Sequence, residues 1–123
     1  MLTPKQKGTF LMGVEISLTG KNAIVTGGGG GMGRCTALML AEAGANVLVS
    51  DMDGAEAEET VAQIKAESDV KALSMVCNVT SKADIDRMVA AALDAFGRID
   101  ILNHIAGVFG AVDFLEATEA DYD

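Results

Sequence analysis

The sequence predicts an α/β fold: a doubly wound parallel sheet of four strands in the order 3-2-1-4, with helices on both faces. Three observations carry that expectation. Apolar runs alternate with segments of helical periodicity, β-α-β-α-β-α-β with short loops, as in parallel strands joined by right-handed crossovers. The first run ends in Thr26 and opens onto five consecutive glycines, Gly27 to Gly31, with a helical segment behind them. The second run ends in a carboxylate, Asp51, at the edge of the sheet where such folds hold ligands.

Residues 1–11 show no periodicity and read as a disordered leader, with Met12 as the natural first residue and residues 12–123 as one domain. Asn22 to Thr26 is the first strand. Behind the glycines, a helix from Cys35 to Ala43 is expected to turn Met32, Cys35, Thr36, Met39, Leu40 and Ala43 towards the sheet, and Gly44 ends it. Val47 to Ser50 is the second strand, apolar as a strand covered on both faces should be. Asp53 and Glu56 form a capping-box pattern that opens a helix from about Ala55 to Glu67, with Ala57, Val61 and Ile64 inward. Ala72 to Cys77 is the third strand. Ser81 and Asp84 cap the next helix, whose Ile85, Met88, Val89, Ala92, Leu93 and Phe96 make one apolar face before Gly97. Ile99 to about Asn103 is the fourth strand, followed by Ala106-Gly107.

Composition narrows the function. Half of the 123 residues are hydrophobic, which excludes a disordered chain and leaves room for one domain. A formal net charge of -9 argues against nucleic acid and anionic membrane as partners, since both select basic surfaces. The lone His104 offers no metal constellation, so no metal is expected. Cys35 and Cys77 read as free, buried thiols in a reducing, cytoplasmic compartment. No apolar stretch reaches the ~20 residues of a membrane span.

A glycine run alone is a weak signal, because flexible loops have the same composition. Strand, glycine turn and helix in succession mean more: glycine lets the backbone approach a pyrophosphate, and the helix start offers unpaired N–H groups. With Asp51 behind it, the pattern reads as a dinucleotide site.

At this point the chain resembles the short-chain dehydrogenase/reductase family. Thr26 to Gly33 fits its T-G-x-x-x-G-x-G signature, and Asp51 matches the acidic residue of members that use NAD. Asn78-Val79-Thr80 is similar to the family's Asp-Val-Thr, whose acid meets the adenine, and Asp100 to Gly107 resembles D-I-L-V-N-N-A-G. The likeness runs from about Leu18 to Asp123. It implies a Rossmann-like sheet, here incomplete, and a cofactor site formed by Gly27, Gly30, Gly31, Met32, Gly33, Asp51, Met52, Asn78, Val79, Ile105, Ala106 and Gly107. Asn78 departs from the family's Asp but keeps a carbonyl that can accept from the adenine amino group. His104 and Ile105 stand in place of two asparagines, and His104 reads as a structural imidazole.

The resemblance implies oxidoreductase activity on a small-molecule alcohol/carbonyl pair. The family's Ser and Tyr-x-x-x-Lys lie beyond the stretch that ends at Asp123, so no catalytic residue is assigned, and Tyr122 is read as a packing residue. NAD is favoured over NADP because Gly30 and Met52 stand where a basic residue would meet a 2′-phosphate; Arg34 reads as a surface or packing residue. An unpaired fourth strand invites self-association, so a homo-oligomer is expected. Two other readings compete. A non-catalytic dinucleotide-binding module or sensor would differ only downstream, and a methyltransferase would carry an acid where Thr26-Gly27 stands.

Overall fold

A computed structural model of the chain describes residues 9–11, 13–108 and 111–121. Its main sheet has four parallel strands: β3 (Asn22–Thr26), β4 (Asn46–Asp51), β5 (Ala72–Val76) and β6 (Ile101–His104), after a separate pair β1 (Thr9–Leu11) and β2 (Val14–Ile16). Three helices connect them: α1 (Gly31–Glu42), α2 (Gly54–Glu67) and α3 (Lys82–Phe96). The spatial order is β5-β4-β3-β6, which is the expected 3-2-1-4 counted from Asn22.

The layering follows from side-chain alternation. In β3 and β4, Val25, Val47 and Val49 pack with Ala37 and Ala41 of α1 and Ala57, Val61 and Ile64 of α2. Their neighbours Ile24 and Leu48 belong to a second cluster with Met88 and Ala92 of α3. Period-two strands thus feed two cores, which is why β3 is buried throughout. Right-handed crossovers explain the two sides. The chain steps outward from β3 to β4 to β5 through α1 and α2, then reverses to β6 through α3 on the opposite face. The reversal puts a switch point between β3 and β6 at their carboxyl ends, where open α/β sheets form crevices.

Local signals set the boundaries. Asp53 Oδ1 accepts from Glu56 N at 3.2 Å, and Ser81 Oγ accepts from Asp84 N at 3.3 Å, so α2 and α3 start where their caps predict. Gly97 closes α3 in the left-handed region at φ +84°.

Three expectations need correction. Thr9–Leu11 are not disordered but pair antiparallel with Val14–Ile16, because the two residues between the triplets end in Gly13 at φ +80°; residues 1–8 lie outside those described. Cys35 is exposed, and only Cys77 of the two free thiols is buried. The buried face of α1 is Gly33, Ala37 and Ala41, while Met32, Cys35 and Met39 point outward. The cause lies in the first turn, where a Cβ on Gly33 would sit 1.8 Å from Gly27 O. That contact fixes the rotation of the helix, and the small residues at four-residue spacing follow Gly33 onto the sheet. Of the expected stripe, Leu40 packs against the core and Ala43, at the helix end, is buried, so hydrophobicity finds only part of the face.

Candidate functional site

The carboxyl ends of all four parallel strands surround one cleft of about 440 Å³. Gly27 and Gly30 line it after β3, Asp51 and Met52 after β4, Asn78 and Val79 after β5, and Ile105, Ala106 and Gly107 after β6. These are the expected site residues apart from Gly31, Met32 and Gly33, which form the first turn of α1 beside the cleft. Cys77, Thr80 and Val108 also line it. Position was the available signal for them, since each flanks an expected residue just beyond a strand end.

The glycine turn is shaped by contacts that only glycine permits. Gly27 sits at φ +67°, and a Cβ there would lie 2.8 Å from Ala106 N. Two loops from different strands therefore meet backbone to backbone. Thr26 ties them: its Oγ1 accepts from Ile105 N and Ala106 N, both at 3.2 Å. The same hydroxyl lies 3.1 Å from His104 Nδ1. With two N–H groups already pointing at that oxygen, its own proton is available to Nδ1. His104 is exposed and meets the end of the sheet through this one contact.

The start of α1 differs from those of α2 and α3. Gly30 occupies its cap position with no side-chain hydrogen bond, and its first turn holds no acidic residue. The other two helices have capping oxygens and an acid in the first turn. The leading N–H groups of α1, and the positive end of its dipole, face the loop without a side-chain partner.

Asp51 stands opposite. Its Oδ2 accepts from Gly29 N at 2.9 Å and its Oδ1 from Asp53 N at 3.0 Å. Each oxygen retains acceptor capacity. Asn78 is used differently from the sequence expectation. Its Oδ1 accepts from Thr80 N at 3.0 Å and Thr80 Oγ1 at 2.7 Å. The carbonyl is committed to that turn, so the group Asn78 has to offer is its NH₂. Asn78 N in turn donates to Asp84 Oδ2 at 2.9 Å. That backbone bond is the first cause holding the Asp84 carboxyl below its ordinary value; the nearby Arg87 and the Ser81 hydroxyl reinforce it against partial burial. Burial pushes the Cys77 thiol up, Asp84 adds to this and Arg87 opposes it, so Cys77 is a poor nucleophile.

Arg34 is no surface residue. Its guanidinium pairs with Glu56 Oε2 at 2.8 Å, and its Nε donates to the hydroxyl of Thr60 at 3.0 Å. Among the described residues, no group of three or more His, Cys, Asp and Glu could hold a metal ion. No helix among them is long and apolar enough to cross a membrane.

Comparison with known proteins places this geometry. A family profile described as short chain dehydrogenase matches residues 21–123. The chain is 45% identical over 87 residues to a short chain dehydrogenase/reductase, astE, of Aspergillus oryzae, covering 71% of this chain and 33% of that protein. Among solved structures it is similar to a hydroxysteroid dehydrogenase from Escherichia coli, with a TM-score of 0.78, 34% identity, and 87% of this chain and 45% of that one covered. It is also similar to a 3-ketoacyl-(acyl-carrier-protein) reductase from Brucella melitensis complexed with NADH, at TM-score 0.65 and 42% identity over 70% of this chain and 34% of that one. An RhlG complex with NADP from Pseudomonas aeruginosa matches at TM-score 0.69 and 32% identity, covering 76% and 37%. The chain spans less than half the length of each of these proteins.

Proposed function

The chain belongs to the short-chain dehydrogenase/reductase family, and from that premise we propose that it forms the cofactor-binding half of an NAD-dependent oxidoreductase acting on a small-molecule alcohol/carbonyl pair. The observation that carries the choice of cofactor is Asp51. Its carboxylate lines the cleft against the glycine turn that leads into α1, with acceptor capacity left on both oxygens.

The residues fit a dinucleotide at each part. The N–H groups around Gly31, Met32 and Gly33 receive the pyrophosphate without a cationic side chain. Asp51 accepts from the adenosine ribose hydroxyls. Asn78 donates its amide N–H to a ring nitrogen of the adenine, between the apolar walls of Met52 and Val79. Ile105, Ala106 and Gly107 hold the nicotinamide end. When bound, the nicotinamide ring supplies hydride exchange with the substrate carbon. A 2′-phosphate would face Asp51, and the nearest guanidinium, Arg34, is already paired with Glu56. Solved relatives carry either cofactor, so the preference rests on Asp51 and not on likeness.

Taken alone, the 123 residues bind the cofactor and turn over nothing, because they contain no Tyr-x-x-x-Lys. The whole protein works in the cytoplasm as a homo-oligomer, and the 123-residue chain self-associates through β6, the last strand of the sheet. A non-catalytic NAD-sensing module is the second reading, favoured by the same cleft.

Titration calorimetry of the chain with NAD and with NADP tests the proposal, with sedimentation of the same sample reporting its assembly. NAD is expected to bind about tenfold more tightly than NADP, and Asp51→Ala to remove most of that difference. Equal affinities, or a preference for NADP in the unaltered chain, would overturn the NAD assignment. A monomer at every concentration would overturn the assembly.

A further inference from the structure

We propose that Arg34 and Thr60 are positioning residues for nucleotide binding, acting through the glycine turn by holding its peptide planes in the orientation that presents N–H groups to the cleft. The inference rests on the dinucleotide reading above and deepens it.

A run of five glycines has more backbone freedom than any other pentapeptide, and ordering it on ligand binding would be costly. Here the turn is held by contacts from behind. Gly28 N donates to Ser50 O at 3.0 Å, and Gly28 O accepts from Thr60 Oγ1 at 2.8 Å. Gly29 N donates to Asp51 Oδ2 at 2.9 Å, and Gly29 O accepts from Arg34 Nη2 at 2.5 Å. The two successive carbonyls are thus drawn towards α2. In a trans peptide the N–H points opposite to its C=O. With Gly29 O held by Arg34, the N–H of Gly30 is turned to the other side, and Gly30 is the loop residue that lines the cleft ahead of α1.

The clamp is itself braced. Thr60 is fully buried, and its one hydroxyl serves both halves: it donates to Gly28 O and accepts from Arg34 Nε at 3.0 Å. Arg34 is fixed further by Glu56, through Oε2 at 2.8 Å and the main-chain oxygen at 3.3 Å. The guanidinium therefore ties two elements, the turn and α2, to the helix that carries it. Nη2 makes the bonds to Gly29 and Glu56 and Nε the bond to Thr60, so lysine, with one nitrogen, cannot make both sets. Space adds to the constraint. A Cβ on Gly29 would lie 2.8 Å from both Asp51 Oδ2 and Glu56 Cβ, so the turn is pressed against the residues that hold it.

The test compares ADP-ribose, which carries the diphosphate, with adenosine, which reaches only Asp51 and the adenine wall. Calorimetry on the chain and on Arg34→Met, Arg34→Lys and Thr60→Val is expected to show ADP-ribose weakened about tenfold in Arg34→Met, less in Thr60→Val, with little rescue by lysine. Adenosine should bind all four alike. Unchanged ADP-ribose binding in Arg34→Met, or an equal loss for adenosine, would overturn the proposal, the second because it marks a general loss of structure. A ligand-free arm separates this from the reading beneath it. Amide hydrogen exchange at Gly28 and Gly29, whose N–H groups donate to Ser50 O and Asp51 Oδ2, should quicken in Arg34→Met while Val25 and Val49 in the sheet keep their protection; no change at the glycines refutes the clamp. If the unaltered chain binds neither ligand, the dinucleotide reading falls, and exchange alone decides whether the turn is held as described.

Discussion

The two ends of the one parallel sheet are built on opposite rules. At the amino end, polar groups are spent on one another. Asp100 Oδ2 accepts from Asn22 N at 2.9 Å, Asn46 Nδ2 donates to Asn22 Oδ1 at 2.8 Å, and Lys71 N donates to Asn46 Oδ1 at 2.9 Å. The ladder crosses from the start of β6 through β3 and β4 to the start of β5, and Arg98 closes it on Asp100 at 2.6 Å. At the carboxyl end, glycines replace side chains, a helix starts without a cap, and Asp51 keeps acceptor capacity in reserve. Closure at one end gives rigidity, and the other end can then leave its donors open to a ligand. The same sheet carries both because each strand has one end of each kind.

The comparison can be broken most directly at Gly33. Gly33→Ala places a methyl group within 1.8 Å of Gly27 O, a backbone atom that has nowhere to go. We expect a loss of about 3 kcal/mol, the upper end of overpacking costs, read from the urea midpoint, together with loss of nucleotide binding. A variant of unaltered stability would show that the turn and α1 are not held as described.

Asn22→Ala should act on the amino end alone. Asn22 is buried, and removing its amide leaves Asn46 Nδ2 without its acceptor. A cost of about 1–2 kcal/mol is expected, with the affinity for ADP-ribose unchanged. If affinity falls in step with stability, the two ends are not independent.

The smallest expected effect comes from pH. The Asp84 carboxyl is held below its ordinary value, first by the Asn78 N–H. A depressed folded-state value means that its contribution is complete above the ordinary carboxylate range and disappears as pH falls through the lowered value. Urea midpoints measured through the acid range should therefore decline less steeply in Asp84→Asn than in the unaltered chain. Identical slopes would show that this bond contributes nothing to the carboxyl end.

Much of this was legible beforehand, for reasons that can be named. Asp53 and Ser81 mark helix starts because a short oxygen at a cap satisfies an N–H that no carbonyl reaches. Thr26 to Gly33 marks the candidate site because strand, glycines and helix start coincide. The face of α1 was only partly legible: Leu40 and Ala43 do turn inward, but Met32, Cys35 and Met39 are as well spaced as Gly33, Ala37 and Ala41 and more hydrophobic. Nor was the role of Arg34, whose partners Gly29, Glu56 and Thr60 lie on two other elements. Asn78 could be placed but not oriented, because its carbonyl is claimed by Thr80 only once the turn forms.

By itself, then, the sequence determined the elements of the main sheet, their order in it and the end at which the cleft lies, because periodicity, caps and crossover handedness are local or nearly local rules. The tertiary structure decided which face of α1 is buried, where Arg34 reaches and what Asn78 has left to offer. Each of those depends on which atoms come within bonding or clashing distance across elements, and no spacing along the chain encodes that distance.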